Sequence, residues 1–349
     1  MRVALVTAET VEHAPSDGAE RLHALARALA GRDHDVVVFS AQWWDGDPDT
    51  FDRDDIEYRR VTREADDWQF PLRLPGLLRE FDPDVVHAVC DPPSHLLAAG
   101  VGAKLAGAGL LVECYDPPRT RGSFGTRLAR TGMRLADAVV TPSRTVRTRV
   151  RELGVSQNLV TVVPTGIEMD VVREAMPAPG GDIVYSRRLD GAANLETLLL
   201  ALAEFREYDW RATVIGDGPE RERYERQARD LRIEDRVDFV GERSVGERIA
   251  LFKNAHVYVH TAEYTPFAVD LLRALAAGCV GIVEYHADSS AHELVEQEPR
   301  GFTATSAQEL TERLAAAGDL DRNDVDESFA RFDEREFLEQ YLTLYRGSR

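Results

Sequence analysis

The sequence predicts an α/β protein built from two doubly wound halves of similar size, with a cleft between them. Three observations support this prediction. Short apolar runs, typical of buried strands, alternate with helical stretches along the chain. A segment with the composition of a linker, residues 173–181, interrupts the alternation, which then begins again. Alternating strands and helices indicate a parallel sheet that carries helices on both faces.

The first half begins with a short strand and an amphipathic helix. Leu22, Leu25 and Leu29 recur on one face of this helix, and Ser16 stands ahead of it as a capping residue. Residues 41–55 are polar and rich in aspartate, and we expect a solvated loop there. Strands are predicted at residues 2–8, 35–40, 56–61, 85–89, 110–114 and 138–141, and helices at 18–31, 74–81, 94–107, 125–136 and 144–154.

The second half repeats the pattern after the linker-like segment. We therefore expect one domain at residues 1–170 and another at 180–330, followed by an amphipathic helix that covers most of residues 333–349. Strands are predicted at residues 182–186, 211–216, 237–240, 257–260 and 280–284, and helices at 195–206, 219–231, 246–254, 267–277 and 289–297.

The composition limits the classes of protein to consider. A chain of 349 residues with 44% hydrophobic residues can bury two cores. No apolar run reaches the ~20 residues of a membrane span, and the N-terminus lacks the plan of a signal peptide. Three widely spaced cysteines indicate neither a disulfide framework nor a metal site. These features predict a cytoplasmic protein.

The charge is the unusual part of the composition. A formal net charge of −19 disfavours nonspecific binding to nucleic acid or to anionic membranes. Arginine supplies nearly all of the positive charge, because Lys104 and Lys253 are the only lysines. An acidic, lysine-poor surface is typical of proteins in a high-salt cytoplasm, where salt screens self-repulsion. We favour this halophilic interpretation over an acidic enzyme from a GC-rich genome.

The stretch Thr261–Gly281 is the first place to expect a functional site. It reads as a loop and a helix between two buried strands, and ligands of such units lie where the loop leaves the strand. Pro266 suits the first turn of a helix, and Gly278 suits its end. The N–H groups of the first helical turn could hold an anion.

Two further motifs allow a functional and a structural interpretation. Gly216-Asp-Gly-Pro-Glu220 could turn a helix start toward a phosphate or ribose, or could be a tight turn without a ligand. Arg187 and Arg188 end a strand, where they could hold a diphosphate bidentately or could be a solvated pair on an acidic surface.

Other catalytic signatures are missing from the sequence. The first loop has no Gly-x-Gly-x-x-Gly fingerprint, and there is no P-loop, no Gly-x-Ser-x-Gly elbow and no His-Glu-x-x-His motif. The nine histidines show no ligand spacing, so His87, His256 and His260 are predicted to be core or cleft-lining residues. Asp91 and Asp116 each follow a strand and could be site residues or helix caps.

Eight segments spread over nearly the whole chain form a recognisable set. They are Gly18-Ala-Glu-Arg, Asp82-Pro-Asp-Val-Val-His87, Ala136-Asp-Ala-Val-Val-Thr-Pro-Ser143, Val162-Val-Pro-Thr-Gly-Ile167, Arg188-Leu-Asp, Gly216-Asp-Gly-Pro-Glu220, Thr261–Gly281 and Glu293-Leu-Val. In this order and spacing, they resemble the motifs of the retaining, family-4 (group 1) glycosyltransferases. The resemblance implies the GT-B architecture, in which two Rossmann-like domains face a cleft. The C-terminal domain would bind a nucleotide sugar, the N-terminal domain the acceptor, and the last helix would cross back.

The resemblance also implies roles for individual residues. Tyr115, Asp116 and Arg188 would be the catalytic residues, and Gly18 and Glu20, with Asp116, would lie on the acceptor side. The donor would meet Arg188, Gly216, Gly218, Thr265, Phe267, Ala268, Arg273 and Glu293. Neither a cofactor nor a metal ion would be required.

Several family positions are changed in this chain. Thr265 and Arg273 stand where the family has the two glutamates of its Glu-x7-Glu pattern, and Glu263 is two residues out of register. Ala193 replaces the lysine that contacts the donor diphosphate, and Tyr115 replaces a histidine. Arginine cannot accept ribose hydroxyl hydrogen bonds, but Arg273 could supply the missing positive charge to a relocated site.

We therefore expect a cytoplasmic glycosyltransferase that moves a hexose from a nucleotide sugar to a lipid-linked, glycan or small-molecule acceptor. The changed site also fits a catalytically inactive relative that binds a partner transferase, and a sugar-nucleotide epimerase is the weaker alternative. Expected partners are the nucleotide sugar, the acceptor and a peripheral membrane or a partner transferase, but not nucleic acid.

Overall fold

The computed structural model describes residues 1–118 and 122–348, which form two compact α/β units. The first unit comprises Met1–Pro164 with Arg335–Arg349, and the second comprises Thr165–Glu334. The division falls ahead of the segment 173–181 where the sequence analysis set it, and Arg349 of the predicted last helix lies outside the described residues. Each unit contains a largely parallel sheet with packed helices, so the predicted fold class is confirmed.

The first unit is built on an eight-stranded sheet with the order β3-β4-β2-β1-β5-β6-β7-β8, in which only β3 and β4 are antiparallel. The strands are β1 (Arg2–Val6), β2 (Asp35–Ala41), β3 (Thr50–Arg53), β4 (Ile56–Thr62), β5 (Val85–Val89), β6 (Gly109–Glu113), β7 (Ala138–Thr141) and β8 (Val160–Val162). The helices are α1 (Asp17–Ala30), α2 (Phe70–Phe81), α3 (Pro93–Ala106), α4 (Gly122–Met133), α5 (Arg144–Glu152) and α12 (Glu334–Gly347).

Successive side chains of β1 supply the cores on the two faces of this sheet. Ala4 and Val6 belong to one buried cluster, and Val3 and Leu5 belong to the other. Strand side chains alternate between faces, so a strand buried on both faces reads as a continuous apolar run. This is why the short runs in the sequence predicted the sheet.

The second unit has a six-stranded parallel sheet with the order β11-β10-β9-β12-β13-β14. The strands are β9 (Ile183–Ser186), β10 (Ala212–Ile215), β11 (Val237–Gly241), β12 (Val257–His260), β13 (Val280–Glu284) and β14 (Gly301–Ala304). The helices are α6 (Met169–Glu174), α7 (Leu195–Glu204), α8 (Arg221–Asp230), α9 (Val245–Asn254), α10 (Val269–Ala276) and α11 (Ala307–Gly318). Among the helices described in either unit, none is both long and apolar enough to cross a membrane.

The predicted solvated loop at residues 41–55 is wrong in part, because β3 lies within it and pairs with β4. Phe51 of β3 gives the physical reason. Its ring stacks on Trp44 at a centroid distance of 5.7 Å and meets the edge of Trp43 at 5.1 Å. Contacts among aromatic rings therefore stabilise a short strand that the polar composition of residues 41–55 does not predict.

The predicted helix at residues 289–297 is also wrong, because only a short 3-10 turn forms there, at Ala291–Leu294. The backbone N–H of Ser290 donates to the carbonyl of Thr265 at 2.9 Å, and its hydroxyl donates to the carbonyl of Pro266 at 2.6 Å. These bonds hold the segment against the loop that precedes α10. Further along the chain, β14 and α11 occupy residues for which the sequence analysis predicted no element.

A buried ionic cluster fastens α12 to the rest of the first unit. Arg21 of α1 is 2% exposed, and its Nε lies 3.2 Å from a carboxylate oxygen of Glu113 at the end of β6. The hydroxyl of Tyr341 on α12 accepts from Arg21 at 2.6 Å and donates to Glu113. His87 joins the cluster, with Nδ1 2.7 Å from the hydroxyl of Tyr345 and Nε2 3.4 Å from Glu113.

The charges in this cluster stabilise each other. Burial by itself would raise the pKa of Glu113, but Arg21 and His87 outweigh burial and lower that pKa below its ordinary value. Burial raises the pKa of the Tyr341 phenol, which therefore stays protonated and can donate. A buried pair of this kind is costly to break, because removal of one partner leaves the other charge without compensation.

Candidate functional site

The candidate residues of the second unit follow the strands at the carboxyl edge of its sheet. β9 ends at Ser186 and is followed by Arg187 and Arg188, β12 ends at His260, and β13 ends at Glu284. Because these strands are parallel neighbours, the loops that follow them meet at the same edge. The structure brings the predicted loop and the two arginines together there.

Thr265 contacts residues from several of these loops and is only 3% exposed. Its hydroxyl accepts from Nη1 of Arg187 at 2.8 Å and lies 3.2 Å from Nε2 of His260. Its backbone forms an isolated parallel β-bridge with Ser289, which lies in the segment that leads to the 3-10 turn. Thr265 is therefore fixed by its neighbours and is not a loop residue exposed to solvent.

His260 is kept neutral in this environment. Burial lowers the pKa of its imidazole to about 3, with a further lowering by the positive charge of Arg187, while Asp270 acts in the opposite direction. A neutral imidazole can accept the hydrogen bond of a hydroxyl or donate to one. His260 is thus a polar member of the site without adding charge to it.

We predict that this neutral histidine makes the second unit sensitive to mild acid. The imidazole binds its proton more readily when unfolded, so its stability contribution is fully present above the unfolded pKa and declines as pH falls toward the folded value. With a folded pKa of about 3, the loss between pH 7 and pH 5 is about 2 kcal/mol. Urea unfolding at both pH values should show this loss in the wild type and little of it in His260→Gln. An equal loss in both proteins would contradict the assignment.

The two adjacent arginines differ in position. Arg188, the residue that the resemblance assigned to the family's arginine, is exposed, and it has no side-chain hydrogen bond or ion pair within residues 1–118 and 122–348. Arg187 is half-buried and reaches Thr265, while its Nε is buried and finds no partner among the described residues. The resemblance selected Arg188 alone, and the structure adds Arg187 to the candidate site.

The glycines of the Gly216-Asp-Gly-Pro-Glu220 turn have a structural explanation. A Cβ on Gly216 would lie 2.0 Å from the carbonyl oxygen of Arg187, and one on Gly218 would lie 2.3 Å from that of Leu189. Gly216 also has a positive φ of 121°. Both glycines therefore allow this turn to pack directly against the loop after β9, which positions the two arginines.

Arg273 lies in a buried ionic cluster formed by α10 and neighbouring segments. Its Nε and Nη2 bind the two carboxylate oxygens of Glu168 at 3.1 and 2.9 Å, and its Nη1 binds Asp270 at 3.1 Å. Asp270 in turn accepts from the hydroxyl of Ser186 and from Nη1 of Arg248, both at 2.6 Å. Two carboxylates balance the charge of Arg273, so it is not the uncompensated positive charge that the relocated-site hypothesis assumed.

The pKa shifts in this cluster have the directions that such pairing requires. Burial would raise the pKa of Asp270, but Arg248 and Arg273 outweigh it and lower that pKa. Burial would lower the pKa of Arg273, but Asp270 and Glu168 raise it. Asp270 and Arg273 are therefore charged at neutral pH, and the cluster ties the start of α10 to β9 and to the segment before α6.

Ala193, at the position of the family's lysine, belongs to the core. It is completely buried, and its carbonyl accepts from the hydroxyls of Tyr185 at 2.8 Å and Thr261 at 3.2 Å. Phe267 and Ala268 are also buried, directly ahead of α10, whereas Glu293 is half-buried in the 3-10 turn. With this backbone, a lysine at position 193 would have to enter the packed interior.

The structure adds residues that sequence reasoning missed. Glu284 is 7% exposed, and one of its carboxylate oxygens accepts from Nδ2 of Asn194 at 2.8 Å and lies 3.6 Å from Nε2 of His286. Burial raises the pKa of Glu284 above its ordinary value. The hydroxyl of Ser289 is buried and has no partner within the described chain. The sequence contained one signal for Glu284: it is a charged residue at the end of an apolar run that reads as a buried strand.

The predicted acceptor-side residues all belong to the first unit. A Cβ added to Gly18 would lie 3.3 Å from the ring of Tyr115, so these two residues are neighbours. Burial raises the pKa of Tyr115 well above its ordinary value. Asp116 follows it and accepts from the thiol of Cys90 through its backbone carbonyl at 3.2 Å, and Glu20 is exposed on α1.

Comparison with known proteins identifies the family. Residues 17–171 match the family model for Glycosyltransferase Family 4, and residues 172–328 match the model for Glycosyl transferases group 1. The chain belongs to the group 1 glycosyltransferases. The two matched ranges lie side by side in the chain and together cover most of it.

Individual relatives of this glycosyltransferase are distant. Glycogen synthase from Mycobacterium tuberculosis is 27% identical over 328 residues, which covers 80% of this chain and 76% of that protein. An α-monoglucosyldiacylglycerol synthase from Streptococcus pneumoniae is 24% identical over 246 residues, which covers 64% of this chain and 55% of that protein. The structure of Anabaena HepE in complex with UDP has a TM-score of 0.79 at 18% identity, covers 99% of both chains, and supports the GT-B fold.

Arg273, which departs from the family pattern, has acidic partners within this chain. The resemblance places a glutamate there, and this glycosyltransferase has an arginine whose two acidic partners, Asp270 and Glu168, come from the same helix and from a distant segment. The start of α10 is therefore held by a complete ionic cluster despite the changed motif.

Proposed function

We propose that this glycosyltransferase transfers a hexose from a nucleoside diphosphate sugar that binds at the carboxyl edge of the second unit. The relatives support this proposal through the molecules that they bind or make. HepE structures hold UDP, UDP with glucose, and UDP-glucose, and the curated relatives are synthases of glycogen and of a glucosylated diacylglycerol. The HepE complexes support a nucleotide hexose as the donor, and the two synthases support a glycan or a lipid as the acceptor.

The observation that carries the proposal is the contact of Arg187 with the loop ahead of α10, next to the exposed Arg188 in the chain. The contact between Arg187 and Thr265 fixes one guanidinium at the loop that leads into this helix, while Arg188 stays exposed. The first N–H groups of a helix have no partner within it and favour an anion. Two arginines and a helix start at one edge match a diphosphate, which they can bind with charge-assisted hydrogen bonds.

The proposed reaction is a retaining transfer without a metal ion. The leaving group is a nucleoside diphosphate, on which negative charge grows as the bond between its oxygen and the anomeric carbon of the sugar breaks. The acceptor hydroxyl forms the new bond to that carbon, and its proton passes to the departing diphosphate. Arg188 and Arg187 stabilise this charge, and the fixed loop at Thr265 keeps Arg187 oriented before the substrate arrives. The glutamate and lysine of the family pattern have no role in this scheme.

A second candidate is a catalytically inactive relative that keeps the fold and binds a partner transferase. The observation in its favour is that Ala193 is sealed in the core and Arg273 is paired internally, so neither position can contact a donor as the family pattern requires. Such a protein would bind no donor or would bind it without turnover.

The test is nucleoside diphosphate release from UDP-glucose, UDP-galactose and GDP-mannose, with maltooligosaccharides or diacylglycerol vesicles as acceptors. We expect acceptor-dependent release, and Arg188→Ala should lower it about tenfold or more, because one charge-assisted contact is lost. Arg226→Ala, on the exposed face of α8, is the matched control and should leave the rate unchanged. No release with any donor would contradict the transferase, and conversion of a donor without acceptor would indicate an epimerase.

A further inference from the structure

A cavity of about 300 Å³ opens at the amino edge of the sheet in the second unit, opposite the candidate site. It lies where β9 and β12 begin, and Asp182 and His256 precede these strands at its wall. We propose that this cavity is a second binding site, for one or two neutral sugar rings of a glycan. The proposal goes beyond the transfer reaction and does not depend on the donor site.

Tyr208 supplies the platform that a sugar ring needs. Its ring is stacked on Phe205 at a centroid distance of 4.2 Å and an interplanar angle of 16°, and the residue is 55% exposed. One face is thus held by Phe205 while much of the ring remains open. The C–H face of a sugar packs on such a ring, because the ring is apolar while the sugar hydroxyls point sideways into polar surroundings.

The polar groups around this ring are mostly hydrogen-bond acceptors. Asp182 uses one carboxylate oxygen to accept from Arg322 at 2.8 Å, and the carboxylate of Asp209 is fully exposed. Nε2 of His256 donates to the carbonyl of Ala317 at 2.8 Å, and in the tautomer that carries its proton on Nε2, Nδ1 can accept a hydrogen bond. Several acceptors around one aromatic face suit a ligand that presents many hydroxyl donors.

The positive charges near the cavity are already paired, which argues against a phosphate ligand. Arg322 donates to Asp182 and to the carbonyl of Asn254 at 2.7 Å. Arg236 donates to the carbonyls of Arg206 at 3.2 Å and Tyr208 at 2.9 Å. The carboxylates of Asp182 and Asp209 lie 2.8 Å and 3.7 Å from these two arginines, so a phosphate would meet no net positive charge from the four groups.

The aromatic residues also argue against a cationic ligand. The guanidinium of Arg236 already covers Trp210, with its central carbon 4.6 Å from the ring centroid. Trp210 is 3% exposed and Phe205 is 8% exposed, so Tyr208 alone offers an open face. An aromatic cage for a quaternary ammonium needs several open faces, whereas a sugar needs one. The size of the cavity is at the lower end of small-ligand sites, about 300–1,000 Å³.

Isothermal titration and saturation-transfer NMR on the full chain test the site. The probes are maltotriose, mannotriose and lactose, with inorganic phosphate and choline as the competing chemistries, each with and without saturating UDP. We expect at least one saccharide to bind with a dissociation constant below about 10 mM, with or without UDP. Tyr208→Ala should weaken this binding about tenfold or more, and Tyr208→Phe should keep most of it, because the ring platform remains.

Trp68→Ala is the matched control, because Trp68 is an exposed aromatic residue of the first unit. It should leave saccharide binding unchanged. The proposal is overturned if no saccharide binds, if Tyr208→Ala binds as the wild type does, or if phosphate or choline is the ligand that depends on Tyr208. Failure of UDP to bind would affect the proposed donor site alone, so the two proposals fail separately.

Discussion

Replacing Glu113 by glutamine is expected to lower the free energy of unfolding of the first unit by about 3–5 kcal/mol, because the buried Arg21 then loses the carboxylate that it contacts at 3.2 Å. Arg21 is 2% exposed and has no route to solvent that keeps its contacts with Tyr341 and the carbonyl of Val163. Urea unfolding followed by circular dichroism measures the loss. Because Tyr341 belongs to α12, limited proteolysis should also cut the C-terminal helix faster in this variant.

A surface ion pair between the end of α1 and α12 provides a matched control. Arg32, just after α1, pairs with Glu339 of α12 on the surface, where the two side chains are 42% and 46% exposed. Glu339→Gln should cost less than about 1 kcal/mol, because solvent screens an exposed pair. If Glu113→Gln costs no more than Glu339→Gln, the buried cluster does not hold α12 in place.

Replacing Arg273 by glutamate, the residue that the family pattern places there, should destabilise the second unit by about 3–5 kcal/mol. Glutamate at this position would face Asp270 and Glu168, so three carboxylates would share a largely buried region in which Arg273 and Arg248 now balance two. Urea unfolding of the second unit measures the effect. Arg226→Glu, on the exposed face of α8, should cost less than about 1 kcal/mol and serves as the control.

A double variant makes this prediction sharper. Asp270→Asn removes one of the opposing carboxylates, so Asp270→Asn/Arg273→Glu should be less destabilised than the sum of its single variants by roughly 1 kcal/mol or more. An additive pair of effects, or a single Arg273→Glu variant as stable as the wild type, would mean that the pairing of Arg273 contributes little.

The fold could be predicted because its strands are buried on both faces and therefore read as continuous apolar runs. Elements that depend on a few tertiary contacts could not be predicted in this way. β3 forms because the ring of Phe51 contacts two tryptophans. Residues 289–297 form only a short 3-10 turn, because Ser290 hydrogen-bonds to the loop before α10. Neither contact leaves a periodic signal in the sequence.

The candidate site shows the same limit at the level of side chains. The resemblance places a glutamate at the position of Arg273, but the partner of this arginine, Glu168, lies 105 positions away and no local pattern links them. Arg187 and Arg188 are neighbours in sequence, and only the structure shows that one reaches Thr265 while the other is exposed. The pairing of Glu284 with Asn194 is likewise a long-range contact, 90 positions apart.

Isothermal titration of the wild type with UDP, GDP, UDP-glucose and GDP-mannose, in low salt and in molar KCl, tests the central claim most directly. The claim is that the second unit binds a nucleoside diphosphate sugar through Arg187, Arg188 and the start of α10, although Ala193, Thr265 and Arg273 depart from the family pattern. We expect at least one of these ligands to bind with a dissociation constant below about 1 mM, and the double variant Arg187→Ala/Arg188→Ala to lose this binding. Absence of binding to all four ligands at millimolar concentration, in both salt conditions, would contradict the account.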